Sequence, residues 1–164
     1  MTAPGNHKIE EIRQSARSSY EELNGLLDGP IASMDTAKLY QPPAPGEWTL
    51  MENIAHIVEF MTYWADEAAK LVATPGQNFG RTQQHEGRLR AISEHAHDRL
   101  QQARAALPGS YAHLDTVLSS LKDSDLELTA HHSKYGERTL AWFLKEFVTQ
   151  HLADHIEQLK QAIS

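Results

Sequence analysis

The chain has 164 residues, a formal net charge of -7 and no cysteine. That length suits one folded unit with a substantial core, so a single domain over 1–164 is expected. The acidic balance, with no stripe of Lys and Arg, argues against a nucleic-acid surface. The missing cysteines exclude disulfides, thiolate-ligated zinc and an internal thiol nucleophile, so any sulfur chemistry needs an external thiol. The N-terminal MTAPGNHKIEEIRQ lacks a basic-then-apolar leader pattern, and no run approaches the ~18 apolar residues of a membrane span, so a cytoplasmic protein without membrane contact is expected.

Four segments follow helical periodicity. In the first, Ile9, Ile12, Ala16, Tyr20, Leu23 and Leu27 recur every three or four residues, which predicts a helix from about residue 6 to 28. Gly29-Pro30 ends it, and residues 41–48, QPPAPGEW, read as a proline-rich linker. Thr49 and Glu52 form a capping-box pattern that opens the second helix. Its stripe is Leu50, Ile54, Ile57, Met61, Trp64, Ala68 and Leu71, and Thr74-Pro75-Gly76 stops it. Residues 74–86 then form a loop longer than a simple hairpin of helices requires.

The third helix carries Leu89, Ile92, Ala96, Leu100, Ala103 and Leu107 and meets Pro108-Gly109, where a break or kink is expected. A further helical piece follows with Tyr111, Leu114, Val117, Leu118 and Leu121, and 122–138 reads as polar and irregular. The fourth helix opens at Thr139 and carries Leu140, Leu144, Phe147, Val148, His151, His155, Leu159 and Ala162. No strand of consequence is predicted. The fold class is therefore all-α, a four-helix bundle with its third helix interrupted. Gly46-Glu47-Trp48-Thr49-Leu50 and Gly136-Glu137-Arg138-Thr139-Leu140 echo each other as shared capping chemistry.

The residues that point to chemistry are three of the ten histidines. His151 and His155 are four apart and lie one above the other within the apolar arc of the fourth helix. His56 lies at the edge of the second helix's stripe, near Phe60 and Tyr63. Buried imidazoles need partners, and a divalent metal is one that satisfies several at once. At ~1.5 Å per residue, antiparallel packing of helices two and four puts His56 about 10 Å from their shared end and His155 and His151 about 12 and 18 Å from it. Parallel packing gives about 10 Å against about 18 and 24 Å, so antiparallel packing is the arrangement that lets the three meet.

Three imidazole ligands without a carboxylate would leave coordination positions for water, thiolate or substrate. Glu59, Asp154 and Gln158 are the candidates to orient the far ring nitrogens. His7, His85, His95, His97, His113, His131 and His132 read as surface or loop residues. The competing interpretation of an H-x-x-x-H pair is two histidines hydrogen-bonded to carboxylates or water. For the whole chain the alternatives to an enzyme are a non-catalytic metal-binding module and a metal-free helical interaction protein.

At Glu47-Trp48-Thr49, Asn53-Ile54-Ala55-His56, Gly136-Glu137-Arg138-Thr139-Leu140 and His151-x-x-x-His155, the chain resembles the DinB-like superfamily of metal-binding four-helix bundles, over nearly its whole length. The resemblance implies an up-down-down-up bundle, with the long loop carrying the chain between two helices of the same direction. It implies that His56, His151 and His155 are the metal ligands, for nickel, zinc or another divalent ion. It also implies a small-molecule substrate and an external thiol as cosubstrate, in a transferase, isomerase or hydrolase, and a homodimer. No catalytic residue beyond the ligands is implied.

Overall fold

The computed structural model describes residues 6–164. The first five residues, part of the stretch read for a leader and of the domain expected over 1–164, lie outside the described residues. The elements in order are α1 (His7–Asp28), the short α2 (Thr36–Leu39), α3 (Leu50–Ala73), α4 (Glu86–His95) and α5 (Leu100–Ser120). A 3₁₀ turn (Asp123–Glu127), the strands β1 (Thr129–His132) and β2 (Gly136–Thr139), α6 (Leu140–Leu144), a π turn (Lys145–Thr149) and α7 (Gln150–Ile163) follow.

The helix α3 forms where an apolar stripe coincides with a start signal. Thr49 accepts from the Glu52 amide at 3.0 Å while Glu52 accepts from the Thr49 amide at 3.1 Å, so the predicted capping box is made. Behind it, Ile54, Ile57, Phe60 and Met61 are fully buried. Asn6 makes no side-chain cap on α1; instead the Asp123 carboxylate accepts from the amides of Lys8 and Ile9, at 3.1 and 3.0 Å. This pins the start of the first helix to the 3₁₀ turn that follows α5 and satisfies donors that the helix itself cannot.

Side-chain pairs give the helix directions. Arg13 meets Asp115, Tyr20 stacks on Tyr111 and Asp28 meets Arg104, so α1 and α5 are antiparallel. Val58 meets Ser110 and Asp66 meets His113, so α3 and α5 run parallel. Asn53 meets His155 and His56 meets His151, so α3 runs antiparallel to α7. The bundle is up-down-down-up.

The third helix is interrupted, but elsewhere than expected. Pro108 lies inside a continuous α5, and the break falls at residues 96–99. Pro108 is on the exposed face, so the Arg104 carbonyl that loses its amide partner sits on the solvent side of the helix. The true break has its own stabilisers. Tyr40 donates its hydroxyl to the Asp98 carbonyl at 2.7 Å, and Gln102 accepts from the Arg99 amide at 2.8 Å.

The segment expected to be irregular contains the β1–β2 hairpin, registered Thr129 opposite Thr139 and His132 opposite Gly136. Strands of four residues are too short to show alternation clearly above a polar background. The loop after α3 is fastened to this hairpin, since the Phe79 amide donates to the His131 carbonyl at 2.9 Å.

Gly80, at φ +81°, is the tightest point of that loop: a Cβ there would lie 2.9 Å from Trp64 and 3.0 Å from His132. Gly76, at φ +91°, faces open space. In urea melts, Gly76→Ala is expected to cost about 1 kcal/mol from backbone strain alone. Gly80→Ala adds overpacking and should cost about 3 kcal/mol. Equal costs would show that the loop does not seat against Trp64 and His132.

Candidate metal centre

The antiparallel packing of α3 against α7 brings His56, His151 and His155 together, each offering a ring nitrogen, all within 4.8 Å of one another. His56 Nε2 and His151 Nε2 lie 3.0 Å apart. Two nitrogens bound to one tetrahedral ion at 2.0–2.1 Å would be separated by about 3.3 Å, so the group is close to the size an ion requires. Among the described residues this is the one group of three or more potential ligands so placed.

His56 and His155 are buried and His151 is half-buried. Burial is the main force on all three titrations. It lowers His56, pushes His151 down to about 4 and pushes His155 down to about 2, and the nearby Arg88 charge acts in the same direction on each. Neutral imidazoles are the form that offers lone pairs. The donor set, its protonation and its spacing all fit a divalent ion.

The orienting partners differ from the sequence expectation. Asn53 donates through Nδ2 to the Thr49 carbonyl at 3.2 Å, which turns its Oδ1 toward His155 Nδ1 at 2.9 Å. The His155 proton therefore sits on Nδ1 and its Nε2 lone pair faces the group. Asn53 stands in the motif that leads to His56, but its orienting role is not among the sequence expectations, although a polar residue three positions before His56 within the apolar run of α3 is a usable signal for it.

Glu59 approaches His56 Nδ1 at 3.6 Å, longer than a hydrogen bond, and that nitrogen is buried without a hydrogen-bond partner. The Glu59 carboxylate is held on both oxygens by Arg81, at 2.5 and 2.7 Å. Asp154 accepts from Gln150 at 2.9 Å, and it and Gln158 are exposed.

His132, expected at the surface, is 1% exposed. Its Nε2–H donates to the Arg81 carbonyl at 3.0 Å, and its Nδ1 accepts from the amides of Lys134 and Tyr135 at 3.0 and 3.3 Å. It thus ties the hairpin turn to the loop that carries Arg81. The remaining histidines match expectation: His7, His85, His95, His97 and His131 are exposed, and His113 pairs with Asp66 at 2.7 Å.

Two open clefts reach the histidines. One, of about 610 Å³, runs from His56 and His151 to the hairpin turn at Lys134 and Tyr135. The other, of about 600 Å³, runs past Trp48 and His155. Gln83, Gln84, Arg88 and His151 line both. Trp48 lies face to face with His155 at 5.8 Å and edge-on to His56 at 5.1 Å, shielding the ring faces.

Fold and site together define a four-helix bundle with a cleft-exposed group of three histidines at the junction of two antiparallel helices. The chain belongs to the DinB superfamily, whose model matches residues 8–159. It is similar in structure to YfiT from Bacillus subtilis, described as a probable metal-dependent hydrolase with an unusual four-helix bundle topology. The TM-score is 0.77 at 13% identity, covering 99% of this chain and 89% of that one.

A second neighbour is TT2238, a four-helix bundle protein, with TM-score 0.65, 21% identity and coverage of 93% and 98%. A third is the mycothiol-dependent maleylpyruvate isomerase, with TM-score 0.70 and 16% identity, covering 92% of this chain and 60% of that one. At these identities the likeness establishes the fold. No curated protein matches the chain by sequence.

Two outcomes follow from the geometry. Asn53→Ala removes the acceptor that fixes His155, and should weaken divalent-metal affinity by ~10–100-fold in competition titrations while leaving helix content intact. Unchanged affinity would show that Asn53 does not orient the imidazole. The second outcome concerns pH in metal-free protein. The folded histidines titrate below 6.5, so the unfolded chain takes up more protons as pH falls, and the folded state loses stability from about pH 6.5 down to about 4. Melting temperature should fall over that range more steeply in wild type than in a His151→Gln/His155→Gln variant; parallel slopes would contradict it.

Proposed function

We propose that His56, His151 and His155 ligate one divalent ion, nickel or zinc, and that the protein is an enzyme which transfers an external low-molecular-weight thiol, or water, to a small electrophilic substrate. The observation that carries this reading is the convergence of three neutral imidazoles at a point open to two clefts. A divalent ion held by His56, His151 and His155 would supply a lowered pKa for a thiol or water and polarisation of a carbonyl.

The chain's own residues do the rest. Asn53 holds His155 in one tautomer, Glu59 presents a negative charge to His56 Nδ1, and Trp48 keeps water from the ring faces. Clefts of 610 and 600 Å³ suit a small molecule. The lack of cysteine is compatible with an external thiol as nucleophile and equally with water.

A closed structural metal module is the weaker alternative, because such sites are ligated fully by protein. Among the described residues the group has three members and opens to solvent. The proposal includes a single domain over 1–164 that works as a cytoplasmic homodimer on small molecules, without nucleic acid. Among the described residues, no helix is long and apolar enough to cross a membrane.

Untagged protein supplemented with nickel and zinc should carry stoichiometric metal by elemental analysis, and His151→Gln/His155→Gln should lose it by more than the ~10–100-fold expected from an orienting residue. Folded wild type without metal would end the proposal. Metal-loaded protein screened against low-molecular-weight thiols with model electrophiles should show turnover that the double variant lacks. Light scattering at high concentration should give the dimer mass.

A further inference from the structure

Arg88, which the sequence analysis passed over, is where the site's features meet. It stands in the first turn of α4, lines both clefts and shares them with His151. Its charge is felt by all three imidazoles, and its side chain is half-buried. Arg13, Arg81, Arg90 and Arg104 each pair with a carboxylate, whereas among the described residues none pairs with Arg88.

Arg88 has neutral neighbours instead. Its Nη1 donates to the Gln83 carbonyl at 2.9 Å, and its guanidinium lies over the Trp48 ring at 5.3 Å. Glu59 is the acid whose charge supports it, and both Glu59 oxygens are taken by Arg81. Glu146 and Asp154 belong to the two clefts without pairing to it.

A half-buried guanidinium without a counter-ion is unfavourable unless something else supplies the charge. Here its position is held by Gln83 and Trp48 while its remaining donors are unused. A planar fork of N–H donors matches a carboxylate edge. The planar edge decides for a carboxylate, since in charge Lys134 adds a second cation to one cleft while Glu146 and Asp154 add carboxylates to the two.

We infer that Arg88 is the anion-recognition residue of this site, and that the molecule taken up beside His151 carries a carboxylate. This names the substrate class and rests on the proposed function only in placing that molecule next to the histidines. Arg88 holds the carboxylate and thereby orients the rest of the molecule along whichever cleft it enters. Neutral analogues of the same size lose that contact.

The test follows the Arg88 Nε–Hε resonance in wild type, assigned by its loss in Arg88→Lys, in both metal-free and zinc-supplemented protein at constant ionic strength. Propionate should shift it saturably, with propionamide giving no saturable shift and inorganic phosphate binding more weakly than propionate. Arg88→Gln should weaken propionate binding, read by tryptophan fluorescence, by about tenfold or more, Arg88→Lys by less, and Arg90→Gln on the same helix not at all.

No saturable shift in either form, an equal response to propionamide, or tighter binding of phosphate would overturn the inference. The two readings fail separately. A propionate response in protein that takes up no zinc leaves this inference standing and removes the metal. Zinc uptake with a silent Arg88 does the reverse.

Discussion

The structure turns on the burial of imidazoles between two antiparallel helices. A core position beside Phe60 would ordinarily take a leucine, and placing His56 and His155 there gives up apolar burial and strands polar nitrogens. Two devices offset this. Asn53 satisfies one nitrogen of His155, and the Glu59–Arg81 pair sets a negative charge opposite His56. His56 Nδ1 still lacks a hydrogen bond, and the closeness of the inward-facing nitrogens is tolerable only while the rings are neutral.

From that constraint the outer structure can be followed outward. Glu59 cannot serve His56 without a counter-charge, so Arg81 is drawn in, its guanidinium lying on the Tyr63 face at 3.7 Å. Arg81 sits on a loop, which needs a rigid backing, and His132 provides it through the Arg81 carbonyl. His132 is in turn held by the hairpin whose turn forms one wall of a cleft. The small hairpin is thus part of the support of the site, although it lies outside the bundle. Arg88, a short step along the same loop and helix, is left out of these pairings, which is what makes its charge conspicuous.

The parts legible in the sequence are those set by local chemistry. Thr49 and Glu52 announced α3, Thr139 announced α6, and the depth of His56 against His151 and His155 selected the antiparallel packing that the structure contains. The parts that were not legible depend on distant residues. Pro108 is harmless because its face is solvated, which its neighbours do not reveal. His132 looked like a loop residue because the strand containing it is four residues long and its partners come from residue 81 and the turn. The π turn at Lys145–Thr149 has no composition that marks it.

That π turn bears directly on how the histidines are presented. Leu144, Val148 and Leu152 are all buried at a spacing of four, and each such step overruns an ordinary helical turn by about 40°. The wider turn absorbs the overrun locally, so the apolar contacts stay on the core side while His155 remains inside and His151 emerges half-exposed at the junction of the two clefts. The bundle shared with neighbours at 13–21% identity supplies this scaffold. Chemistry on a shared fold is set by what surrounds the site. Here those surroundings are the 74–85 loop, the first turn of α4 and the hairpin turn, which place Gln83, Arg88 and Lys134 around His151. The loop and the hairpin are themselves fastened, Gly80 against Trp64 and His132 to the Arg81 carbonyl, so what surrounds His151 is set by packing outside the bundle as well as within it.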